Sequence, residues 1–325
     1  MEKACELVRA SVLAGYRKIH LDASMTCASD GDAPLSDRTV AERAAILCQT
    51  AERSSDGLPG NSPGVLYVIG TEVPVPGGES VRGGPPTATT IDGVRNTLEA
   101  FHTAFEARGL CAAWERVIGL VVQPGVEFGD DVVFDYDRAK AGGLAANLPA
   151  HPALVYEAHS TDYQSPKALA EMVEDHFAIL KVGPWLTFAF REAVFALGAI
   201  ERQVLVGKKG CNVSQVRDAL DSAMLRDPSH WRSYYQGDEA QLHFSRAYSY
   251  SDRCRYYWHQ ASVQEELVRL VDNLSVHSLP LTLLSQFMPL EYAAVRAGQL
   301  TIQPQAIILY HIQNVLRIYA AACKS

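Results

Sequence analysis

Acidic, amide and imidazole side chains follow four short apolar runs of the sequence, at the point where each run ends. These residues are Asp22, Glu72, Gln123 and His159. A carboxylate in such a position can act as a general acid or base, and a neutral imidazole can bind a divalent metal. The sequence therefore predicts Asp22 and Glu72 as catalytic residues, and His159 together with Glu72 as metal ligands.

Each of these four residues also has a structural interpretation. An aspartate such as Asp22 often orders a loop, Gln123 is equally plausible as a loop-stabilising amide, and a single histidine is more often hydrogen-bonded than metal-bound. Glu72 ends a buried run, where a carboxylate is costly unless it is paired, hydrogen-bonded or bound to a metal. Its alternative role is to hold the following Pro/Gly loop through backbone amides. The common position of the four residues favours function.

Groups that suit a sugar phosphate occur near these positions and later in the chain. An amide can orient a substrate hydroxyl, while hydroxyls and amides at a helix N-terminus can hold a phosphate. Two arginines in the segment 250–258 supply positive charge, although a surface ion pair with Asp252 and a structural aromatic cluster are their alternative roles. The predicted substrate-binding residues are Gln123, Ser160, Thr161, Gly183, Thr187, Arg253 and Arg255.

Short apolar runs alternate with helical periodicity over the first two thirds of the chain. The predicted strands are 18–24, 65–73, 117–123, 153–159 and 178–182. Connections of helix length between strands predict parallel pairing, and strands apolar on both faces predict a covered sheet. A doubly wound sheet and a closed barrel both satisfy these features. The polar residues at the strand ends favour a TIM (β/α)8-type barrel, because such barrels build their active sites from the ends of many strands. No Gly-x-Gly-x-x-Gly follows a strand, so the usual dinucleotide-binding signature of a doubly wound sheet is missing.

The strand count is too small for a complete barrel. Eight strand–helix units usually need about 250 residues, and the sequence shows five strands before its strand signal disappears near residue 206. We therefore expect an α/β barrel that lacks its first strand–helix units, formed by residues 1–206. Residues 207–325 are expected to form a C-terminal helical extension packed on the barrel, with a possible role in contacting a partner or forming a homo-oligomer.

Charge and cysteine usage limit the classes of partner. The net charge is -8 and no dense Lys/Arg stripe is present, which argues against binding nucleic acid or an anionic membrane surface. The seven cysteines contain no Cys-x-x-Cys pair, which is typical of reduced thiols. Neither a signal peptide nor a long apolar segment is visible, and the sequence predicts a cytoplasmic protein.

Several strings of residues together resemble the non-catalytic subunit family of class II D-tagatose-bisphosphate aldolase, a family also labelled tagatose 6-phosphate kinase. The string Gly-Thr-Glu-Val-Pro-Val-Pro-Gly-Gly at 70–78 is the most specific. The resemblance extends over essentially the whole chain. Its other matching segments are 18–25, 40–45, 181–184, 187–189, 250–253, 255–258 and 286–292.

The resemblance implies a barrel related to metal-dependent class II aldolases, with Zn²⁺ or another divalent metal and a ketose phosphate as ligands. It also implies an accessory role, in which the chain stabilises and activates a catalytic aldolase subunit in galactitol or N-acetylgalactosamine-type carbohydrate catabolism. The alternative is a metal-dependent ketose-phosphate 4-epimerase or aldolase in its own right. Kinase activity is not expected, because no phosphate-binding Gly-x-x-x-x-Gly-Lys-Ser/Thr loop or kinase string is present.

Overall fold

A computed structural model of the chain describes residues 1–27, 30–31, 35–56, 64–71, 86–147 and 154–324. The strands among these residues are β1 (Lys18–His20), β2 (Leu66–Ile69), β3 (Val117–Val122), β4 (Glu127–Phe128), β5 (Val133–Phe134), β6 (Val155–Ala158) and β7 (Ile179–Leu180). The α-helices are α1 (Glu2–Leu13), α2 (Asp37–Ser55), α3 (Ile91–Glu106), α4 (Cys111–Trp114), α5 (Arg138–Ala145), α6 (Pro166–Glu174), α7 (Pro184–Leu205), α8 (Val216–Arg226), α9 (Glu239–Tyr248), α10 (Ala261–Val276), α11 (Leu281–Phe287), α12 (Pro289–Arg296) and α13 (Pro304–Ala322).

Five strands form one parallel sheet in the order β1-β2-β3-β6-β7. Every strand pairs with the strand that precedes or follows it among these five, and all four pairings are parallel. This order is that of successive barrel strands, whereas a doubly wound sheet reverses its order near the middle. The described sheet is a curled half-barrel, so the α/β class is confirmed and a complete TIM barrel is not.

A small antiparallel hairpin interrupts the strand–helix alternation. Strands β4 and β5 pair with each other and lie outside the main sheet. Neither this hairpin nor the short helix α5 that follows it was predicted from the sequence. Strands of two residues carry almost no periodic signal, which explains why they were missed.

Serine and threonine side chains cap the N-termini of several helices around the sheet. Ser36 accepts a hydrogen bond from the Thr39 amide at the start of α2, and Ser165 does the same for Ala168 at the start of α6.

The glycine after β2, Gly70, has a packing role in the structure. A Cβ atom at Gly70 would lie 2.6 Å from Cβ of Val121 on β3, which leaves no space for a larger residue.

The molecule has two apolar cores, and α7 contributes residues to both of them. The first core packs the sheet against α2, α3 and α6, and the second joins α7 to α8, α10 and α11. The last helix, α13, packs against both α6 and α7, and its Tyr319 donates a hydrogen bond to the carbonyl of Thr161 at 2.8 Å. The helical region therefore joins the first core through α13. In the described part of the chain, no helix has the length and apolar character needed to cross a membrane.

Candidate functional site

Two pairs of polar side chains lie on the same face of the half-barrel. Lys18 and His20 are two residues apart on β1, and Glu157 on β6 is two residues before His159. Successive side chains of a strand point to opposite faces, so each pair shares one face. Strands β2 and β3 separate β1 from β6 in the sheet. The curl of the sheet brings the two pairs together at the carboxyl edge.

His20, Glu157 and His159 form a compact group. The Nε2 atom of His159 lies 2.9 Å from Oε1 of Glu157, and Nδ1 of His20 lies 3.9 Å from the same oxygen. The two imidazole rings meet edge to face, with centroids 5.4 Å apart and an interplanar angle of 89°. Each residue offers one potential ligand atom, and these three atoms lie within 4.8 Å of one another.

Two lysines place positive charge beside this group. Nζ of Lys18 lies 3.3 Å from Oε2 of Glu157, and Nζ of Lys181 lies 3.5 Å from Oε1. The Lys181 ammonium is also 3.2 Å from Nδ1 of His20. The Glu157 side chain is fully buried, whereas each lysine side chain is 45% exposed. A buried carboxylate is thus compensated by cations that remain in contact with solvent.

The surroundings fix the charge of two members of the group. Burial alone would raise the pKa of Glu157, but the hydrogen bond from His159 and the charge of Lys181 outweigh burial and lower that pKa to about 2. Burial and the Lys181 ammonium lower the pKa of His20 to about 4. At neutral pH, Glu157 is therefore a carboxylate and His20 is a neutral imidazole. These are the protonation states that bind metal ions.

The donor atoms of this group fit a divalent transition metal. Two imidazoles and a carboxylate form a ligand set used for zinc and for other first-row metals. Nε2 of His20 is buried and has no hydrogen-bond partner among the described residues. Nε2 of His159 faces the Glu157 carboxylate at 2.9 Å and donates its proton there, so a metal ion that bound Nε2 would take the place of that proton. The residues present can hold a metal ion.

The structure gives the predicted ligand His159 partners that the sequence analysis did not select. His20 and Glu157 approach it, while the proposed second ligand, Glu72, lies outside the described residues. The signal that could have identified Glu157 is its spacing of two from His159 on a predicted strand. His20 likewise falls two residues after Lys18 on β1.

Asp22 and Gln123 make local hydrogen bonds at their strand ends. Oδ1 of Asp22 accepts from the amide of Ser24 at 3.1 Å and from its hydroxyl at 2.7 Å. Oε1 of Gln123 accepts from the amides of Gly125 and Val126 at 2.8 and 3.0 Å. Both side chains therefore order their loops, as the structural alternatives predicted. Asp22 also acts electrostatically on the neighbouring His20.

The hydroxyls of Ser160 and Thr161 have partners within the protein. Ser160 has a positive φ of 54° and donates to Oε2 of Glu127 at 3.1 Å. Thr161 is buried and donates to the carbonyl of Lys181 at 2.6 Å, with the Tyr319 hydroxyl 3.1 Å away. A phosphate bound at these hydroxyls would have to replace these contacts.

The N-terminus of α7 meets a carboxylate. Oδ1 of Asp162 accepts from the amide of Gly183 at 2.9 Å and from that of Trp185 at 2.8 Å. Thr187 donates through Oγ1 to Oδ2 of Asp252 at 2.6 Å. Burial raises the pKa of Asp162, although its bonds to the amides oppose that effect. The predicted phosphate-binding amides are therefore already bound to an acidic side chain.

Arg253 and Arg255 lie in the segment between α9 and α10. Nη1 of Arg253 donates to the carbonyl of His230 at 3.3 Å, and Nη1 of Arg255 donates to the carbonyl of Asp252 at 3.0 Å. The Asp252 carboxylate instead forms a buried ion pair with Arg191, at 3.1 Å. The described residues therefore do not contain the predicted surface ion pair with Asp252. Both guanidinium groups instead lie over aromatic rings, Arg253 over Tyr234 and Arg255 over Tyr256, as the aromatic part of the structural alternative predicted.

Comparisons with known proteins identify relatives across the whole chain. The family model described as D-tagatose-1,6-bisphosphate aldolase subunit GatZ/KbaZ-like matches residues 1–324. A crystal structure of a probable tagatose 6 phosphate kinase from Sinorhizobium meliloti 1021 is 39% identical in sequence, with a TM-score of 0.85. That match covers 97% of this chain and 75% of the other chain. Both findings agree with the resemblance stated from the sequence.

Proposed function

Because the chain belongs to the D-tagatose-1,6-bisphosphate aldolase subunit GatZ/KbaZ-like family, we propose that it is an accessory subunit of a class II tagatose-bisphosphate aldolase. In this role it stabilises and activates a separate catalytic subunit in galactitol or N-acetylgalactosamine-type catabolism. The observation that carries the proposal is the group His20, Glu157 and His159 at the carboxyl edge of the half-barrel. Barrel proteins assemble their active sites at this edge.

The proposal includes a divalent cation, Zn²⁺ or a similar ion, held by these three residues. When bound, such an ion polarises a carbonyl oxygen of a sugar phosphate. Asp22, two residues beyond His20, is proposed to exchange a proton with the sugar, and Glu72 remains a further candidate. The neutral state of His20 and the ionised state of Glu157 support this assignment, because both side chains are ready to bind a cation at neutral pH.

Metal binding is testable with the isolated chain. We expect elemental analysis to find a bound divalent metal, and we expect His159→Ala and Glu157→Gln to lose it. A matched control is Glu201→Gln, because Glu201 is a buried carboxylate of the helical region that binds Ser214 and Asn273. Titration with Co²⁺ adds a second readout, since its absorption distinguishes nitrogen and oxygen ligands from the thiolates of cysteine. Equal metal content in all four proteins would contradict the assignment.

The accessory role is testable by mixing. We expect the chain to co-purify with a short class II aldolase subunit and to raise its cleavage of tagatose 1,6-bisphosphate and its melting temperature. The Glu157→Gln variant separates two contributions: activation that needs only the fold survives the substitution, whereas activation that needs the metal group does not. If adding the chain changed neither the activity nor the melting temperature of the catalytic subunit, the accessory role would be abandoned.

A second candidate function is catalysis by this chain alone, as a metal-dependent ketose-phosphate 4-epimerase or aldolase. The observation that favours it is that His20, Glu157, His159 and the neighbouring Asp22 all come from one chain. The test is turnover of tagatose 6-phosphate or fructose 6-phosphate without a partner, across several divalent metals. No turnover with any metal would exclude this candidate. ATP consumption in the same assay would contradict the expectation that the chain is not a kinase.

A further inference from the structure

The Lys181 ammonium contacts two of the three residues of the candidate metal group, His20 and Glu157. Its Nζ atom lies 3.2 Å from Nδ1 of His20 and 3.5 Å from Oε1 of Glu157. These two atoms are 3.9 Å apart and both belong to potential metal ligands. Lys18 differs, because its Nζ contacts Oε2 of Glu157 at 3.3 Å, on the other oxygen of the carboxylate.

We propose that Lys181 is the resident cation of this donor group and that a divalent metal ion must displace its ammonium in order to bind. The inference rests on the proposed function, because it assumes that the group binds a metal. Metal bonds to imidazole nitrogen and carboxylate oxygen are about 2.0–2.2 Å long. An ion bonded to Nδ1 of His20 and to Oε1 of Glu157 would therefore lie beside the present position of the Lys181 ammonium. Two cations at such a distance repel each other strongly in a partly buried site.

The side chain of Lys181 is able to leave this position. It follows the end of β7 and is 45% exposed, so its flexible stem can turn the ammonium into solvent. The departure leaves Glu157 compensated by the incoming metal and by Lys18. Without a metal, the returning ammonium compensates the buried carboxylate. The exchange keeps a cation beside Glu157 in both states, and Lys181 lowers the affinity of the site for metal.

The test compares the affinity of three proteins for Co²⁺, followed by the absorption of nitrogen- and oxygen-bound cobalt. Lys181→Met removes the competing ammonium, whereas Lys18→Met removes an equal charge at a similar distance from Glu157. We expect Lys181→Met to bind Co²⁺ about tenfold more tightly than the wild type, within the usual range of coupling between two binding events. We expect Lys18→Met to change the affinity by less. An equal increase in Co²⁺ affinity in the two variants, or no increase in Lys181→Met, would overturn the proposal.

Two further results separate this inference from the proposed function. If the wild type binds Co²⁺ at the His20–Glu157–His159 group and the two lysine variants bind it equally, only the role of Lys181 fails. If none of the three proteins binds Co²⁺ through nitrogen and oxygen ligands, the metal site itself fails, and this inference fails with it. Circular dichroism and melting without metal establish that each variant is folded. Lys181→Gln serves as the replacement if Lys181→Met does not fold.

Discussion

The ion-pair group at His311 leads to a quantitative prediction about stability and pH. His311 on α13 lies between two carboxylates: its Nδ1 is 2.8 Å from Glu291 on α12, and its Nε2 is 3.5 Å from Glu192 on α7. Burial alone would lower the pKa of His311, but the two carboxylates outweigh burial and raise it from 6.5 to about 9. The imidazolium therefore joins three helices through charge.

The pKa shift gives the size of the effect. A rise from 6.5 to about 9 corresponds to about 3 kcal/mol at 1.36 kcal/mol per pKa unit. The side chain of His311 is 23% exposed and Glu291 is buried, so solvent screening is limited. Because the folded state raises the pKa of a base, this stabilisation is complete below pH 6.5 and is lost as the pH rises through 9. At pH 7.5 about 2 kcal/mol remains.

The assay is urea-induced unfolding of the wild type and His311→Gln at pH 6, 7.5 and 10. We expect the difference in unfolding free energy to fall from about 3 kcal/mol at pH 6 to near zero at pH 10. His102→Gln is the control, since His102 is an exposed imidazole on α3 that contacts the ring of Trp114. A difference between wild type and His311→Gln that stays constant from pH 6 to 10 would refute the reasoning.

Three other features of the structure lead to testable consequences. Arg191→Met leaves the buried Asp252 carboxylate without its ion-pair partner, so thermal unfolding should show that the free energy of unfolding falls by about 3–5 kcal/mol. A fall of less than about 1 kcal/mol would argue against the importance of this pair. Asp162→Ala removes the carboxylate that binds two amides at the start of α7, and it should lower the free energy of unfolding by about 2 kcal/mol. Asp162→Asn retains an acceptor oxygen and should lower it by less. Equal decreases in the two variants would contradict the capping role. Burial raises the pKa of Cys48 to about 12 and that of Cys254 well above its usual value, so mass spectrometry should find both thiols unlabelled by iodoacetamide in the folded protein; rapid labelling of either would show that the thiol is accessible.

Much of the fold follows from patterns that a sequence contains. The five parallel strands were predicted within a few residues of their observed positions, and the region predicted to be helical, 207–325, contains α8 to α13. Apolar periodicity carries this information because each strand or helix must bury a face. The hairpin of β4 and β5 was not predicted, because its strands are too short for a period to appear. The domain boundary predicted near residue 206 stays a prediction.

The candidate site was predictable only in part. His159 was selected from the sequence for its chemistry and its position at a strand end, and it stays a predicted metal ligand. His20 and Glu157 were not predicted, because their meeting depends on the curl that brings β1 close to β6 across two intervening strands. No local pattern records that curvature. Spacing of two along a strand could have paired Glu157 with His159, but not with His20.

Hydrogen-bond partners distinguish the candidate metal group from the other polar residues at strand ends. Buried polar groups in proteins are usually hydrogen-bonded, so a polar residue at a strand end is expected to have a partner within the fold. Asp22, Gln123 and Thr161 follow this rule. His20 follows it at only one of its two nitrogens: Nδ1 lies 3.2 Å from the Lys181 ammonium, whereas Nε2 is buried and has no partner in the described part of the chain. Unpartnered atoms of Arg191 and Arg246 belong to guanidinium groups that already form ion pairs, whereas His20 lies beside two further potential metal ligands. An unsatisfied nitrogen within a group of ligand-type atoms is therefore better evidence for a binding site than position at a strand end.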